Sequence, residues 1–370
     1  MQHTITKNCL QTILNECLLT NNAKITLSST LLDLDLLTVD LEKGEFRSMA
    51  GPRDFDPVVS DLQRKLGQDF LAQDVPGHGD LADALRSSLL LPPENLQELM
   101  KEVKDIEARR KNPYRYPRMR CFAIDTNVAY NRLLTRLPSY GQGCGVVDFD
   151  PNSISVVVPD MVEREVSYWV QHKYTPKDLE VMVRTYGERS EVRALSNCCL
   201  KSGRRALNAQ TEINLIRESY ATWPVYGGEF DLDKEKRDRE MVKVVGEEMY
   251  LQKWDVLFLT ADDKFRAHTN AEKVPAFLLR YPKDVPSILP YDPWRFAEFI
   301  YDLCINFGII SFKSLGLRVF GDWSGKTVDD FKQEKVRVVF DDRSALGKAL
   351  DRDCRIMQRL SQRFDLSTIT

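Results

Sequence analysis

Asp125 stands where a predicted strand gives way to a predicted helix. The residues before it, 121–124, form a short apolar run that is typical of a strand covered on both faces, and helical spacing returns after Asn127. In open α/β sheets the carboxyl ends of the strands line the ligand crevice, so a carboxylate at this position can be functional. A structural explanation is also open, because Asp followed by Thr and Asn can cap the next helix.

Three further acids occupy comparable positions later in the chain. Glu165 lies on a predicted helix, where Glu163 is the alternative acid, and Asp238 lies near the start of another predicted helix. Asp262 follows a predicted strand that ends in Thr260, and its neighbour Asp263 is a competing candidate for the same role. Taken singly, an acid near the start of a helix is explained by its favourable interaction with the helix dipole.

Convergence of these acids on one crevice would have a chemical purpose. Carboxylates that lie close together repel one another unless a cation neutralises them, and oxygen ligands select Mg²⁺ or Mn²⁺ over zinc or copper. Such ions, about 4 Å apart, can activate water and stabilise the leaving oxygen in phosphodiester hydrolysis, which requires no nucleophilic side chain. The predicted catalytic and metal-binding residues are Asp125, Glu165, Asp238 and Asp262, with Asp263 as an additional candidate ligand.

The middle of the chain alternates between predicted strands and predicted helices. The strands are almost purely apolar, which indicates a parallel sheet covered by helices, with right-handed crossovers. We predict strands at 121–125, 154–158, 255–259 and 274–279, and helices at 127–137, 160–172, 234–250 and 263–271, with two further helices before about residue 218. The predicted class of this region is therefore α/β.

Together, these motifs resemble those of the PIN-domain nucleases. The matching residues are Asp125 with Thr126 and Asn127, Pro159 with Glu165, Asp238 with Met241, and Thr260 with Asp262. The resemblance covers about residues 121–280. It implies a Rossmann-like parallel sheet, a metal-dependent endonuclease that acts mainly on single-stranded RNA, and a quartet of acids that holds one or two Mg²⁺ or Mn²⁺ ions. Within that site, Asn127 and Thr260 are expected to support the acids by hydrogen bonding.

A basic and aromatic connector, residues 108–120, precedes the first of these predicted strands. Cations that neutralise phosphates, alternating with rings that stack on unpaired bases, suit the binding of single-stranded nucleic acid. A solvated interdomain linker has a similar composition, and composition alone favours that interpretation. The candidate nucleic-acid-binding residues are Arg109, Arg110, Lys111, Arg115, Arg118 and Arg120 of the connector, and Arg204 and Arg205 of a later predicted helix.

Both flanks of the central region read as smaller α+β regions that contain little recognisable chemistry. We predict an N-terminal domain at 1–110, the connector as a linker at 108–120, a PIN-like nuclease domain at 121–285 and a C-terminal region at 286–370. Because the chain is much longer than the central region alone, we expect the flanks to select the substrate.

Charge and composition narrow the remaining alternatives. The chain has 52 basic and 55 acidic residues, so any nucleic-acid-binding surface must be local. Eight scattered cysteines without zinc spacing favour a reduced protein, and the absence of a long apolar stretch favours a cytoplasmic one that does not enter a membrane. A non-catalytic RNA-binding or assembly factor, a structure-specific DNA nuclease and a homo-oligomer all remain open.

Overall fold

The computed structural model describes residues 1–19, 23–67, 70–144, 149–187, 190–231, 233–290, 293–340 and 345–363. These residues form two compact units. The antiparallel unit contains residues 1–90, 172–205 and 284–370, and the parallel unit contains residues 91–171 and 206–283. Within the described ranges, no helix is both long enough and apolar enough to cross a membrane.

Strands and helices are numbered in chain order. The strands are β1 (Gln2–Thr6), β2 (Lys24–Ser29), β3 (Leu34–Asp40), β4 (Glu45–Arg47), β5 (Arg120–Ile124), β6 (Ser155–Pro159), β7 (Ala221–Val225), β8 (Asp255–Thr260), β9 (Ala276–Leu278), β10 (Leu289–Pro290), β11 (Ile309–Phe312), β12 (Leu317–Phe320) and β13 (Lys335–Val339). The helices are α1 (Leu10–Leu19), α2 (Pro52–Leu66), α3 (Phe70–Asp74), α4 (His78–Ser87), α5 (Leu96–Lys111), α6 (Thr126–Tyr130), α7 (Leu133–Cys144), α8 (Asp160–Val170), α9 (Pro176–Tyr186), α10 (Ser190–Arg193), α11 (Lys201–Ser219), α12 (Lys234–Gln252), α13 (Phe265–Ala271), α14 (Pro293–Phe307), α15 (Val328–Lys332) and α16 (Ala345–Arg363).

The antiparallel unit is built on one eight-stranded sheet in the order β1-β13-β12-β11-β2-β3-β4-β10. Strand β13 carries the alternating pattern of a sheet with one buried face, because Val336 and Val338 are fully buried and their neighbours are not. Phe46 of β4 packs against Phe296 and Phe299 of α14, with ring centroids 5.8 and 5.2 Å away. The sheet and α14 therefore share one apolar core.

The parallel unit is built on a five-stranded sheet in the order β7-β6-β5-β8-β9, in which every neighbouring pair is parallel. Residues 121–124 of the central strand β5 are all fully buried, as a strand covered by helices on both faces requires. This arrangement is mixed α/β and compatible with a Rossmann-like core. The predicted parallel sheet covered by helices is confirmed at this level.

The elements of the parallel unit differ from the prediction in two places. The predicted helix 127–137 is two helices, α6 and α7, because Arg132 between them adopts a left-handed backbone conformation (φ 50°) that ends the first. The edge strand β7 is absent from the prediction. Its Pro224 argues against a central strand, but an edge strand accommodates proline because one side of its backbone forms no ladder.

The structure divides the chain differently from the predicted series of domains at 1–110, 108–120, 121–285 and 286–370. Strands of the two flanks pair directly: β1 pairs with β13, and β2 pairs with β11. The flanks therefore form one sheet rather than two separate α+β regions. Residues 172–205, predicted to belong to the central domain, are part of the antiparallel unit, whereas helix α5 is part of the parallel unit.

Candidate active site at the carboxyl edge of the parallel sheet

Asp125 follows the last residue of the central strand β5 and is 3% exposed. Its Oδ2 accepts hydrogen bonds from Thr260 Oγ1 (2.8 Å) and Asn127 Nδ2 (3.0 Å). Although Asp125 occupies the N-cap position of α6, no side-chain capping hydrogen bond is present there. Burial raises the pKa of Asp125, against the hydrogen bonds from Thr260 and Asn127. A buried carboxylate without a capping role is a candidate functional acid.

Glu165 reaches the same edge of the sheet from α8, which begins directly after β6. Its Oε2 accepts a hydrogen bond from Thr126 Oγ1 (2.8 Å), and its Oε1 accepts one from Arg237 Nη2 (2.9 Å). Because Thr126 is the residue next to Asp125, this contact brings Glu165 beside the first acid. The predicted supporting residues Asn127 and Thr260 donate hydrogen bonds to Asp125, while Thr126 donates one to Glu165.

Asp238 is the third acid of this edge and lies on α12. Burial, followed by the charge of Asp125, raises its pKa to about 7, and Glu165 adds to the effect while Lys234 and Arg237 oppose it. Because the charges of Asp125 and Glu165 both contribute to the raised pKa of Asp238, the three acids lie in one electrostatic environment. They come from positions far apart in sequence, as predicted.

Asp262 lies in the turn between β8 and α13 and is paired with a lysine. Its Oδ2 is 2.6 Å from Lys234 Nζ, its Oδ1 accepts from the Lys264 amide (2.9 Å), and its own amide donates to Thr260 Oγ1 (3.0 Å). Burial acts to raise the pKa of Asp262, but the hydrogen bond from Lys234 and the other contacts with lysines bring it below its ordinary value. Asp263 is exposed. The geometry therefore favours Asp262 over Asp263 as the acid of the site that follows β8.

The chain's own cations and hydroxyl groups hold these acids in the structure. Glu165 is paired with Arg237 and Asp262 with Lys234, and among the described residues no group of three or more His, Cys, Asp or Glu side chains is arranged to hold a metal ion. The chemistry of the donor set nevertheless fits Mg²⁺ or Mn²⁺, since it consists of carboxylate oxygens. The raised pKa values of Asp125 and Asp238 also indicate a site that a cation would stabilise.

The basic connector lies at the opposite, amino edge of the same sheet. Arg109 Nη1 contacts Asp255, the first residue of β8, at 3.0 Å, and Arg110 Nη1 contacts Ser155, the first residue of β6, at 3.4 Å. Arg120 is itself the first residue of β5. A strand of five residues is about 16 Å long. Proximity to Asp125 in sequence therefore does not place the connector beside the acids.

Three of the six cations of the connector have acidic partners in the parallel unit. Arg109 is paired with Asp105 and Asp255, Arg120 with Glu102 and Asp105, and Lys111 with Glu107. Arg115 and Arg118 are exposed, and the Arg115 guanidinium lies 5.6 Å from the centroid of the Tyr116 ring. These pairs explain three of the six basic residues as a structural feature of the amino edge.

Under the ribonuclease activity that the resemblance implies, we expect replacement of both Arg115 and Arg118 with alanine to leave cleavage of a short single-stranded RNA unchanged, because the connector is anchored at the amino edge of the sheet and the acids lie at its carboxyl edge. Steady-state kinetics at several salt concentrations measure this directly. A raised KM, together with a salt slope reduced by about one for each lost phosphate contact, would instead place the connector on the path of the substrate.

Arg204 and Arg205 occupy different environments from the one predicted for them. Arg204 is 1% exposed and donates to the carbonyl oxygens of Ile305 and Cys199, at 2.8 Å each. Arg205 pairs with Asp80 and Asp83. The interior position of Arg204 removes it from the candidate nucleic-acid-binding residues, and Arg205 serves the packing of the antiparallel unit.

Lys234 and Arg237 were not assigned to the site from the sequence. Both lie on α12, four residues and one residue before Asp238. The spacing of Lys234 and Asp238 is the i, i+4 spacing at which opposite charges meet on a helix, and this signal was available in the sequence. The contact of Arg237 with Glu165 joins residues 72 positions apart and had no local signal.

Comparison of the chain with protein-family models and with curated proteins gives no match. The geometry of the carboxyl edge is therefore the basis on which a function is assigned.

Proposed function

We propose that the parallel unit is a PIN-like, Mg²⁺- or Mn²⁺-dependent endoribonuclease that hydrolyses single-stranded RNA. The observation that carries this proposal is the convergence of Asp125, Glu165 and Asp238 at the carboxyl edge of an all-parallel sheet. There, in addition to burial, the charge of Glu165 raises the pKa of Asp125, and the charges of Asp125 and Glu165 raise the pKa of Asp238. Such an edge is the usual location of the ligand crevice in an open α/β sheet. Clustered acids with perturbed pKa values at such an edge are candidates for a functional site.

Each residue of the site has a defined task in this proposal. Asp125, Glu165, Asp238 and Asp262 would hold the metal, which when bound would supply an activated water and stabilise the leaving oxygen. Thr260 and Asn127 fix the orientation of Asp125, and Thr126 fixes that of Glu165. Residues that orient metal ligands in this way commonly contribute 10- to 100-fold to metal affinity or activity.

Lys234 has a further task in the same proposal. Its side chain is 61% exposed, although its Nζ is paired with Asp262. An exposed ion pair is weak and readily exchanged. If Asp262 held a metal, the Lys234 ammonium would be available to a substrate phosphate.

A non-catalytic RNA-binding factor is the second candidate, and one observation favours it. Arg237 and Lys234 already neutralise Glu165 and Asp262, so the fold does not depend on a metal to make these carboxylates tolerable. Under this alternative the chain's own cations replace the metal, and the carboxyl edge has no hydrolytic role.

Cleavage of labelled single-stranded RNA, single-stranded DNA and duplexes in EDTA, Mg²⁺ or Mn²⁺ separates these candidates. We expect cleavage of single-stranded RNA in Mg²⁺ or Mn²⁺ and none in EDTA. RNA binding without cleavage under every metal condition would support the non-catalytic factor. Preferential cleavage of DNA would assign the same chemistry to a DNA nuclease.

The neighbouring acids Asp262 and Asp263 provide a matched pair of variants for this assay. Asp262→Asn removes a carboxylate that accepts a hydrogen bond from Lys234, whereas Asp263→Asn removes an exposed one. We expect a loss of at least about 10-fold in cleavage for the first variant and no loss for the second. The reverse ranking would assign the site to Asp263.

A further inference from the structure

An aromatic surface adjoins the acids of the parallel unit. It consists of Tyr168, Trp169 and Phe230, and is called the ring surface below. The Tyr168 ring lies 6.4 Å from the Phe230 ring and 5.2 Å from the Trp169 ring, measured between centroids. The Arg237 guanidinium lies 5.6 Å from the centroid of Phe230, and the same guanidinium donates to Glu165. The ring surface is thus joined to the candidate active site through one side chain.

Local structure fixes this arrangement from two directions. Tyr168 follows Glu165 by three residues on α8, so the two side chains are neighbours on the helix surface. Phe230 lies on the segment after β7, which Arg237 holds through a hydrogen bond from Nη1 to the Asp231 carbonyl (3.1 Å).

Gly228 lets the segment that carries Phe230 approach α8 and α12 closely. Its φ of +81° is unfavourable for other residues, and a Cβ built on it would lie 2.8 Å from Glu240 Cγ and 2.9 Å from Met161 Cε. The backbone at Gly228 therefore packs closely against the two helices, and this close packing fixes the position of Phe230.

Tyr168 keeps 42% of its surface exposed although it contacts two other rings. A single exposed aromatic residue is common on protein surfaces. An exposed ring beside a second ring, a guanidinium and a cluster of acids is a more specific arrangement. Rings of this kind provide flat faces on which an unpaired base can stack.

The charges around the acids suit a strand with a phosphate backbone. Lys234 is 61% exposed, Lys236 is 70% exposed, and Lys264 is also exposed at the start of α13. All three lie within the two segments that supply Asp238 and Asp262. A surface that combines exposed cations with aromatic faces is the usual arrangement for binding single-stranded nucleic acid.

We infer that Tyr168 is the stacking partner of an unpaired nucleobase, and that this contact places the adjoining phosphate at the acids. The inference rests on the proposed function for the cleavage step, but base binding itself requires no metal. It names the substrate class as a strand with an unpaired base, because bases within a duplex stack on one another and do not offer a free face. Stacking is tolerant of base identity. The site is therefore expected to prefer single strands over duplexes without preferring a particular sequence.

Binding of a short labelled single-stranded RNA, measured by fluorescence anisotropy in EDTA, tests this inference on the full chain. We expect Tyr168→Ala and Tyr168→Leu to weaken binding about 10-fold and Tyr168→Phe to leave it unchanged, because stacking requires the ring and not the hydroxyl group. The same binding measurement is made with single-stranded DNA of the same sequence and with an abasic strand of the same length. The abasic strand should bind wild type and Tyr168→Ala equally.

Tyr250→Ala is the matched control, because Tyr250 is an 84% exposed tyrosine at the other end of α12. Wild-type affinity in Tyr168→Leu, or an equal loss in Tyr250→Ala, would overturn the stacking contact. A loss that extends to the abasic strand would also overturn it, since no base is then involved. If Tyr168→Ala weakens the binding of single-stranded DNA as much as that of RNA, the stacking contact is supported and applies to bases of both RNA and DNA.

Failure of this inference is distinguishable from failure of the proposed function. If Asp125→Asn abolishes cleavage but Tyr168→Ala binds RNA like wild type, only the stacking inference falls. If Tyr168→Ala loses binding and the wild type cleaves nothing in Mg²⁺ or Mn²⁺, only the nuclease assignment falls.

Discussion

Replacement of Asp125 with asparagine is expected to lower RNA cleavage by more than about 100-fold, because loss of a direct ligand should exceed the 10- to 100-fold effect of residues that orient ligands. Asp125 follows the central strand of the sheet, and Thr260 and Asn127 both donate hydrogen bonds to its carboxylate. Asparagine retains the size of the side chain and an oxygen that can accept from Thr260. The change therefore removes the charge with little effect on packing.

The same variant is expected to be as stable as the wild type, or more stable, in EDTA at neutral pH. Burial raises the pKa of Asp125 in the folded protein. The ionised carboxylate is therefore more favourable in the unfolded chain than in the folded protein. As the pH rises above the ordinary pKa of an aspartate, ionisation of Asp125 lowers the free energy of unfolding. Asparagine removes this effect. A functional acid behaves in this way, whereas neutralising a structural acid lowers stability.

Asp255→Asn is the control, because Asp255 lies at the amino edge of the same sheet and pairs with Arg109. We expect its cleavage rate to equal that of the wild type. Single-turnover cleavage and thermal unfolding of both variants provide the measurements. Undiminished turnover in Asp125→Asn would exclude Asp125 from the site, and a lower melting temperature would assign it a structural role.

Replacement of Arg204 with methionine is expected to destabilise the antiparallel unit by about 3–5 kcal/mol, the usual effect of removing one partner from a buried charge network. Burial raises the pKa values of Asp74 and Asp322, and the Arg204 charge opposes this effect at both acids. Methionine fills a similar volume but leaves these acids without that cation. The change also removes the donors to Ile305 and Cys199.

Arg205→Met is the control for Arg204→Met. Arg205 is 30% exposed and pairs with Asp80 and Asp83, so its loss is expected to lower stability by no more than about 1 kcal/mol. Urea unfolding of the two variants measures the difference. Equal, small effects would mean that Arg204 is not required in the interior, and would reopen its assignment as a nucleic-acid-binding residue.

The sequence predicted the parallel sheet and the convergence of acids because both follow from local patterns. Apolar runs that alternate with helical spacing specify a parallel sheet, and the carboxyl ends of parallel strands share one edge. Asp125 and Asp262 each follow such a run, so their placement at one edge needed no tertiary information. Helix position alone left neighbouring acids as alternatives to Glu165 and Asp238, and the resemblance to the PIN-domain nucleases selected these two.

Other features depended on contacts that no local pattern encodes. The connector is close to Asp125 in sequence, but the length of β5 separates the two ends of the strand. Arg204 lies in a helical segment whose basic residues suggested a solvated face, and only tertiary packing buries it. The pairing of β2 with β11 joins residues more than 280 positions apart, so the division of the chain could not be deduced from composition.

The thermal unfolding of metal-free protein in increasing Mn²⁺ tests the central claim, that the acids of the carboxyl edge together hold a divalent ion. Binding at 100 times the dissociation constant stabilises a protein by about 2.7 kcal/mol. We predict that Mn²⁺ raises the melting temperature of the wild type and of Asp255→Asn by several degrees and leaves that of Asp125→Asn unchanged. An equal shift in all three proteins, or none in the wild type, would contradict it.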